Sequence, residues 1–198
     1  ERSGASVKKV ALFDDIQQVS EGEITERIKK RITEKTRVFG ITWVHSSTGL
    51  KLPIKAIAEV VAGANKGRAY ADRILLVVDG VHGFGVEDEK VAEMGVDFFI
   101  AGTHKWMFGP RGTGIVWASA ETWKQLRMLF PAFAMETFGA WANGPKLTAP
   151  MQASWLTQGG FQAFECEWAL PAAFEFHKKI GTARIARRIH DLNDQCKR

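Results

Sequence analysis

The chain has 198 residues, of which 45% are hydrophobic and 25% are charged, and this composition is ordinary for a soluble globular domain. The net charge of +5 is modest, and the basic residues cluster only briefly at 27–31 and 184–188, so we expect solvated helix faces and no nucleic-acid partner. No apolar run approaches the roughly 20 residues of a membrane span, and two cysteines, Cys166 and Cys196, predict neither a disulfide framework nor a metal cluster.

The first half of the chain alternates short apolar runs with helical patterns. Five runs are predicted strands: 7–13, 38–44, 74–78, 97–101 and 114–118. Three helices are predicted between them: 20–33, 53–63 and 88–94. The first helix begins at a capping box formed by Ser20 and Glu23, and the second opens at Pro53. Strands that alternate with helices predict parallel βαβ units in a doubly wound α/β sheet.

The second half of the chain is predominantly helical in its pattern. Residues 121–129 and 162–179 are predicted helices, and Pro171 predicts a kink or break in the second of them. The apolar stretch 130–150 is rich in proline and glycine, which predicts an irregular excursion. A last helical stripe is formed by four apolar residues at helical spacing: Ile185, Ile189, Leu192 and Cys196.

Two charged residues follow neighbouring predicted strands. Asp79 ends the apolar run 74–78, and Lys105 follows the apolar run 98–101. Ligands in open α/β sheets bind beyond the carboxyl ends of such strands. An amine that forms a Schiff base with an aldehyde, and a carboxylate that keeps a pyridine nitrogen protonated, are the pair that pyridoxal 5'-phosphate needs. We therefore expect this cofactor and a small amino-acid-type substrate.

Three motifs carry a family resemblance: VDGVHGFG, GVDFFIAGTHKW and FGPRGTGIVW. They resemble the class V aminotransferases, which are pyridoxal phosphate enzymes, and within that family the isopenicillin N epimerase-like branch. Asp79 and Lys105 are 26 positions apart, and the glycine-rich turn follows at once. The resemblance extends over about 1–198. It implies the fold type I large domain, an α/β structure with a mostly parallel sheet flanked by helices and apparently incomplete at both ends.

The resemblance also suggests a division of the chain. Residues 1–160 would be part of the domain that binds pyridoxal phosphate, and 161–198 would be helices leading toward a missing C-terminal small domain. Family members are longer, so we interpret the chain as the middle portion of such an enzyme. No signal peptide is visible, and we expect a cytoplasmic protein, with a targeting segment ahead of Glu1 left open because the chain does not begin with Met.

The resemblance implies roles for further residues around the cofactor. His82 is expected near the phenolic oxygen of the ring, where the alternative is a packed loop histidine. Thr103 and His104 are expected to face the phosphate. Ser46 matches a position where related desulfurases carry Asn near the cofactor, and its shorter side chain reaches less far.

Thr157 bears on the oligomeric state. It lies in LTQGGFQAFE, which resembles a family segment that reaches across a dimer interface to the neighbour's phosphate. The alternative is a plain glycine turn. The apolar stretch 130–141 also favours an interface, because a large apolar patch is costly to expose to water. We therefore expect a homodimer.

Lys105 has two expected tasks and an expected setting. His104 and Trp106 flank it, and we expect apolar surroundings that favour the free amine required for attack on the aldehyde. The same amine can then move a proton at the substrate's Cα. The turn 109–114 lacks the ending of a Walker loop, so we expect it to support the lysine and not to bind a nucleotide.

The leading hypothesis for the reaction is epimerisation by removal and return of the Cα proton. A C–S lyase of the cysteine desulfurase type, or an aminotransferase, would use the same Asp79 and Lys105 and stays open. Cys166 is predicted to be a buried helical thiol and not the loop cysteine of a desulfurase. A non-catalytic fragment or scaffold is a further alternative.

Overall fold

The computed structural model of the chain describes residues 4–126, 134–144, 151–156 and 163–197. Within them, four strands form one sheet in the order β1-β2-β3-β4. Their bounds are Val38–Thr42, Leu75–Asp79, Phe98–Gly102 and Gly114–Ala118. β2 pairs parallel with both β1 and β3, which confirms the mostly parallel α/β sheet.

The last strand departs from a purely parallel arrangement. β4 pairs antiparallel with β3, and Gly114 lies opposite Gly102. The connection between them is the segment 103–113, which consists of turns and irregular backbone without a helix. A parallel partner would require a crossover connection, which is usually a helix, and the absence of a helix from 103–113 agrees with the reversed direction of β4.

Six α-helices accompany the sheet in the described residues: Glu21–Arg31 (α1), Ile54–Ala64 (α2), Ala120–Trp123 (α3), Met135–Asn143 (α4), Phe164–Ile180 (α5) and Thr182–Cys196 (α6). The helix predicted at 88–94 is only a short 3-10 turn, Val91–Glu93. α4 lies inside the stretch predicted to be irregular, so that expectation is wrong for 135–143. The rest of the predicted excursion at 130–133 and 145–150 lies outside the described residues.

The capping box and the isoleucine spacing of α1 are confirmed. The hydroxyl of Ser20 accepts a hydrogen bond from the Glu23 amide at 3.2 Å, and Ile24 and Ile28 are buried. α2 contributes its own apolar stripe at the predicted positions. Both stripes join the alternate residues of the strands that face them in one core. Burying such a face stabilises each helix far more than its intrinsic propensity does.

Two further expectations about elements are wrong. Residues 7–13 form no strand; Val7 is 91% exposed, and none of the described strands pairs with this segment. α5 continues through Pro171 as one helix, so a break at that residue is wrong, whereas a kink there stays a prediction. Proline removes one backbone donor, but the residues after it are held by tertiary contacts, including the ring of Phe174 against Phe84 at 6.3 Å. The division of the chain at residue 160 stays a prediction.

One glycine shows how tightly the core meets the end of β2. A Cβ built on Gly80 would lie 1.9 Å from Cζ of Phe99, which is fully buried. Gly80→Ala is therefore expected to lower the free energy of unfolding by roughly 1–3 kcal/mol, because the core must be overpacked to hold the methyl group. Chemical denaturation measures this.

The matched control is Gly63→Ala on the exposed side of α2, where an added Cβ would meet nothing within 4 Å. Alanine is the better helix former by up to about 1 kcal/mol, so this variant is expected to be neutral or more stable. Equal destabilisation of both variants would contradict the packing argument.

Candidate functional site

Asp79 is the last residue of β2, at the carboxyl edge of the sheet. Its carbonyl oxygen accepts a hydrogen bond from the Trp43 amide at 2.8 Å, and its Oδ1 accepts one from the Val81 amide at 3.1 Å. Burial alternates along β2, and Val78 is buried in the core whereas the side chain of Asp79 is exposed. The carboxylate is thus presented on the face of the sheet opposite the α1–α2 core.

The loop 80–87 carries His82 away from this strand in a compact turn. The Gly80 amide donates to the Ile100 carbonyl at 2.8 Å, and the Phe84 amide donates back to the Gly80 carbonyl at 2.8 Å. The buried ring of Trp43 lies against Gly83, where an added Cβ would be 2.2 Å from it. These contacts fix the backbone on both sides of His82.

The structure brings His82 and Lys105 together. Nζ of Lys105 lies 2.9 Å from Nε2 of His82, although the residues are 23 positions apart. When Lys105 is an ammonium it can only donate, and His82 then accepts as a neutral imidazole with its proton on Nδ1. Lys105 lies in the segment after β3 and His82 in the loop after β2, so the contact joins two neighbouring strand ends.

The apolar surroundings expected for Lys105 are wrong in this structure. Lys105 and His104 are exposed, and Trp106 is 43% exposed. The lysine follows the strand at the open edge of the sheet, where the described residues do not cover it. The environment of the Lys105 amine is therefore set by the polar contact with His82 and not by burial.

The environment of His82 lowers its pKa from the ordinary histidine value. Partial burial is the largest cause, followed by the positive charge of Lys105, and His45 adds to the effect while Asp79 opposes it. This environment disfavours the charged imidazole and favours the neutral form of His82. A neutral imidazole accepts the Lys105 hydrogen bond, so geometry and protonation agree.

This predicts how His82 titrates. We expect the His82 imidazole to become protonated only at a pH below the ordinary histidine range. NMR of the imidazole measures this titration. Because the folded-state pKa lies below the unfolded one, the stability contributed by neutral His82 is fully present above the unfolded pKa and is lost as the pH falls through the folded pKa. In Lys105→Ala the pKa of His82 is expected to rise, because one positive charge is removed while burial remains. An unchanged or lower pKa in that variant would contradict the interpretation.

Thr103 is placed differently from its expected role. It is fully buried, and its Oγ1 lies 2.5 Å from Oγ1 of Thr113, which itself donates to the Pro110 carbonyl at 2.6 Å. The Gly109 amide donates to the Thr103 carbonyl at 2.8 Å. The Thr103 hydroxyl is thus occupied inside the turn 109–114, so this placement does not support a phosphate contact. The turn instead braces the segment that carries Lys105.

The remaining predicted residues are less constrained. His104 is exposed, and its imidazole lies so close to Gly102 that an added Cβ there would be 2.8 Å from its Cε1. Ser46 is exposed in a turn closed by the hydrogen bond from the His45 amide to the Leu50 carbonyl at 2.9 Å. Thr157 lies outside the described residues, and its predicted role stays a prediction.

Sequence reasoning missed the side chains that support the loop 80–87 from other elements. Glu87 contacts Lys51 and His190, and buried His177 donates to the Gly85 carbonyl at 2.8 Å. No local motif marks these contacts, since the His190 pair spans 103 positions. A buried carboxylate requires partners, but the sequence pattern does not reveal that Glu87 is buried.

The part of the chain that the structure describes offers neither a metal site nor a membrane span. It contains no group of three or more histidine, cysteine, aspartate or glutamate residues that could hold a metal ion. Among the described helices, none combines the length and apolarity needed to cross a bilayer. Cys166 is half-buried in α5, and Cys196 is exposed at the end of α6.

Comparison with curated proteins finds relatives with two activities. The chain is 28% identical over 184 residues to the isopenicillin N epimerase of Streptomyces clavuligerus, covering 89% of this chain and 43% of that protein. It is 29% identical over 168 residues to a probable cysteine desulfurase of Halalkalibacterium halodurans, covering 84% of this chain and 38% of the relative. The chain therefore spans less than half the length of these curated relatives.

Comparison with solved structures supports the fold. The apo cysteine desulfurase of Thermococcus onnurineus NA1 superposes with a TM-score of 0.71 at 18% identity, covering 95% of this chain and 42% of that one. The cystine C–S lyase C-DES, in complex with its product cysteine persulfide, superposes with a TM-score of 0.66 at 21% identity, covering 80% of this chain and 40% of that one. The family described as aminotransferase class V matches residues 1–198 in full. The chain belongs to the class V aminotransferase family.

Proposed function

We propose that this chain forms the cofactor-binding part of an enzyme that uses pyridoxal 5'-phosphate to act on an amino acid or a compound derived from one. The observation that carries the proposal is the 2.9 Å contact between Lys105 and His82, at the sheet edge where Asp79 ends β2. Membership of the class V family and the similarity to pyridoxal phosphate enzymes support it. The bound cofactor would supply the electron sink for bond breaking at Cα.

The residues at this edge fit the cofactor's chemistry. Lys105 would provide the amine that attaches to the aldehyde, and its exposure leaves it accessible. Asp79 uses Oδ1 for the Val81 amide, while Oδ2 makes no hydrogen bond to the described residues and is free to accept one from a protonated pyridine nitrogen. Neutral His82 can donate from Nδ1 to the phenolic oxygen while Nε2 faces Lys105. His104 and Ser46 are the exposed candidates for further cofactor contacts.

For the reaction, we favour an epimerisation in which the Lys105 amine removes a proton from Cα and returns it. The similarity to an isopenicillin N epimerase supports this choice. Lys105 and His82 can act together as a proton-transfer pair, since a base within hydrogen-bond reach of a neutral imidazole can exchange a proton with it.

A C–S lyase or cysteine desulfurase reaction is the second candidate, favoured by the similarity to a probable cysteine desulfurase and by the structural neighbours. The half-buried position of Cys166 within α5 speaks against that thiol as a mobile sulfur acceptor. An aminotransferase reaction and a non-catalytic role are the remaining alternatives.

The test has two stages. Addition of pyridoxal phosphate to the intact protein is expected to produce a new visible absorbance band that borohydride abolishes; a scaffold without cofactor would show none. Incubation with a panel of amino acids then separates the reactions, because epimerisation changes chirality, a lyase releases sulfide or persulfide, and transamination yields a keto acid.

We also propose that the functional unit is a homodimer. The support is the resemblance of the segment around Thr157 to one that crosses a dimer axis, together with three exposed apolar side chains on α4: Met135, Phe138 and Trp141. Exposed apolar patches of this kind commonly mark interfaces. Sedimentation of the intact protein over a range of concentrations tests this.

A further inference from the structure

Glu87 joins three separate parts of the chain through one carboxylate. Its side chain is only 7% exposed, and each of its oxygens has a partner. Oε2 lies 2.6 Å from Nζ of Lys51, which precedes α2, and Oε1 accepts from Nε2 of His190 on α6 at 3.0 Å. Glu87 itself ends the loop 80–87, five residues after His82.

Lys51 also connects Glu87 to Trp43, whose ring packs against the loop 80–87. Lys51 directly follows the turn 45–50 and also bonds Oε1 of Glu89 at 2.6 Å. Its Nζ lies 5.9 Å from the ring centroid of Trp43. That ring supports Gly83, the residue immediately after His82. Lys51 thus links Glu87 to the ring that packs beside His82.

The histidine arm connects the loop to the C-terminal helices. His190 of α6 holds Glu87, and His177 of α5 holds the Gly85 carbonyl, so the two helices fix the loop at points two residues apart. His177 is 2% exposed, so its imidazole must be satisfied by this bond in the described structure. The loop 80–87 therefore packs against Trp43 and is also held by α5 and α6.

Glu87 differs in kind from the surface ion pairs. Lys90–Glu93 and Lys178–Glu175 join neighbours three residues apart, and both partners of each pair are exposed. Such pairs contribute little. Burial raises the pKa of Glu87, but the hydrogen bonds and charges of His190 and Lys51 outweigh burial and hold it below the ordinary range. Loss of one partner from a buried carboxylate destabilises the fold. We therefore expect Glu87 to keep its contacts with both Lys51 and His190.

We propose that Glu87 is a positioning residue that holds the loop 80–87 against Lys51 and α6 and thereby sets the approach of His82 to Lys105. This inference rests on the proposed function, in which His82 contacts the cofactor. It assigns to Glu87 no contact with the cofactor or the substrate. Its action is indirect, through the backbone on either side of His82.

The test is Glu87→Gln in the intact protein, compared with Glu93→Gln as a matched control on an exposed pair. In the cofactor-free protein, amide hydrogen exchange in 80–87 is expected to be faster by about tenfold in Glu87→Gln, with β2 unchanged, because one charged hydrogen bond of the anchor is lost. Affinity for pyridoxal phosphate is expected to fall by a similar factor. Glu93→Gln is expected to match wild type in both.

A double-mutant cycle separates positioning from general destabilisation. If Glu87 acts through His82, Glu87→Gln weakens cofactor binding in the wild-type background and has no further effect in His82→Asn. The same loss in both backgrounds, or unchanged exchange in 80–87, would overturn the inference. If Glu87→Gln fails to fold, His190→Gln replaces it, because this change removes only the contact between the exposed His190 and Glu87. The same results then support or overturn the inference.

The outcome also distinguishes this inference from the proposed function. If wild type takes up no pyridoxal phosphate, the proposed function fails, and the hydrogen-exchange comparison still decides whether Glu87 holds the loop. If wild type binds the cofactor and Glu87→Gln binds it equally well, only the positioning role is lost.

Discussion

Lys105→Ala is expected to abolish covalent attachment of pyridoxal phosphate in the intact protein. Lys105 is the lysine that lies beside His82 at the sheet edge, with Asp79 at the end of the adjacent strand. In the proposed function, removing the amine would remove both the attachment point and the base for the Cα proton, while the other proposed cofactor contacts would stay. Turnover is therefore expected to fall by roughly a thousandfold or more.

Borohydride reduction followed by peptide mapping measures the attachment directly. In wild type, the label is expected on the peptide that contains Lys105; in Lys105→Ala, no peptide should carry it. Lys124→Ala is the matched control, because Lys124 is exposed and paired with Glu121 at 2.6 Å on the surface. Label on Lys124, or unchanged labelling after Lys105→Ala, would remove Lys105 from the proposed role.

Thermal unfolding of the cofactor-free Lys105→Ala protein tests whether the variant loses its label simply because it is unfolded. Lys105 is exposed, and its partner His82 is only partly buried, so the change in the free energy of unfolding is expected to stay within about 0.5 kcal/mol. A variant that is folded but unlabelled then reports chemistry and not stability. Exposed lysines rarely affect stability, which makes this position a clean test.

The parts of the fold that local pattern determines could be predicted from the sequence. The Ser20 cap and the spacing of Ile24 and Ile28 identify α1 because capping and amphipathic burial act within a few residues. The apolar runs of β2 and β3 are equally local. The same runs located Asp79 and Lys105 at strand ends, since a parallel sheet gathers such ends at one edge.

What escaped prediction depends on contacts between distant residues. Residues 7–13 have the composition of a strand but no partner among the described strands, and a strand requires one. Thr103 has a hydroxyl suited to phosphate, yet the turn buries it against Thr113. Glu87 looks like a surface glutamate, and only the approach of Lys51 and His190 makes it an anchor. None of these outcomes has a signature within a short window of sequence.

Asp79→Asn is the second change from which a large effect is expected. Asparagine has nearly the same shape, its amide oxygen can still accept from the Val81 amide, and the backbone bond from Trp43 to the Asp79 carbonyl does not involve the side chain. Since the side chain is exposed, folding is expected to change by less than about 1 kcal/mol in the free energy of unfolding. The protein should bind cofactor and attach it to Lys105 as before.

Turnover is nevertheless expected to fall by roughly a hundredfold to ten-thousandfold in Asp79→Asn. A neutral amide would not hold the pyridine nitrogen of the cofactor protonated, so Asp79→Asn would remove the charge that supports electron withdrawal from the bond at Cα. Steady-state kinetics with pyridoxal phosphate saturating measures this, because any weaker binding is then overcome and only kcat reports the lost charge. Asp72→Asn is the control, since Asp72 pairs on the surface with Arg37 far from the sheet's carboxyl edge. Near-normal kcat in Asp79→Asn would exclude Asp79 as the partner of the ring nitrogen. A loss of kcat, with borohydride labelling of Lys105 intact, would assign the lost rate to the Asp79 carboxylate.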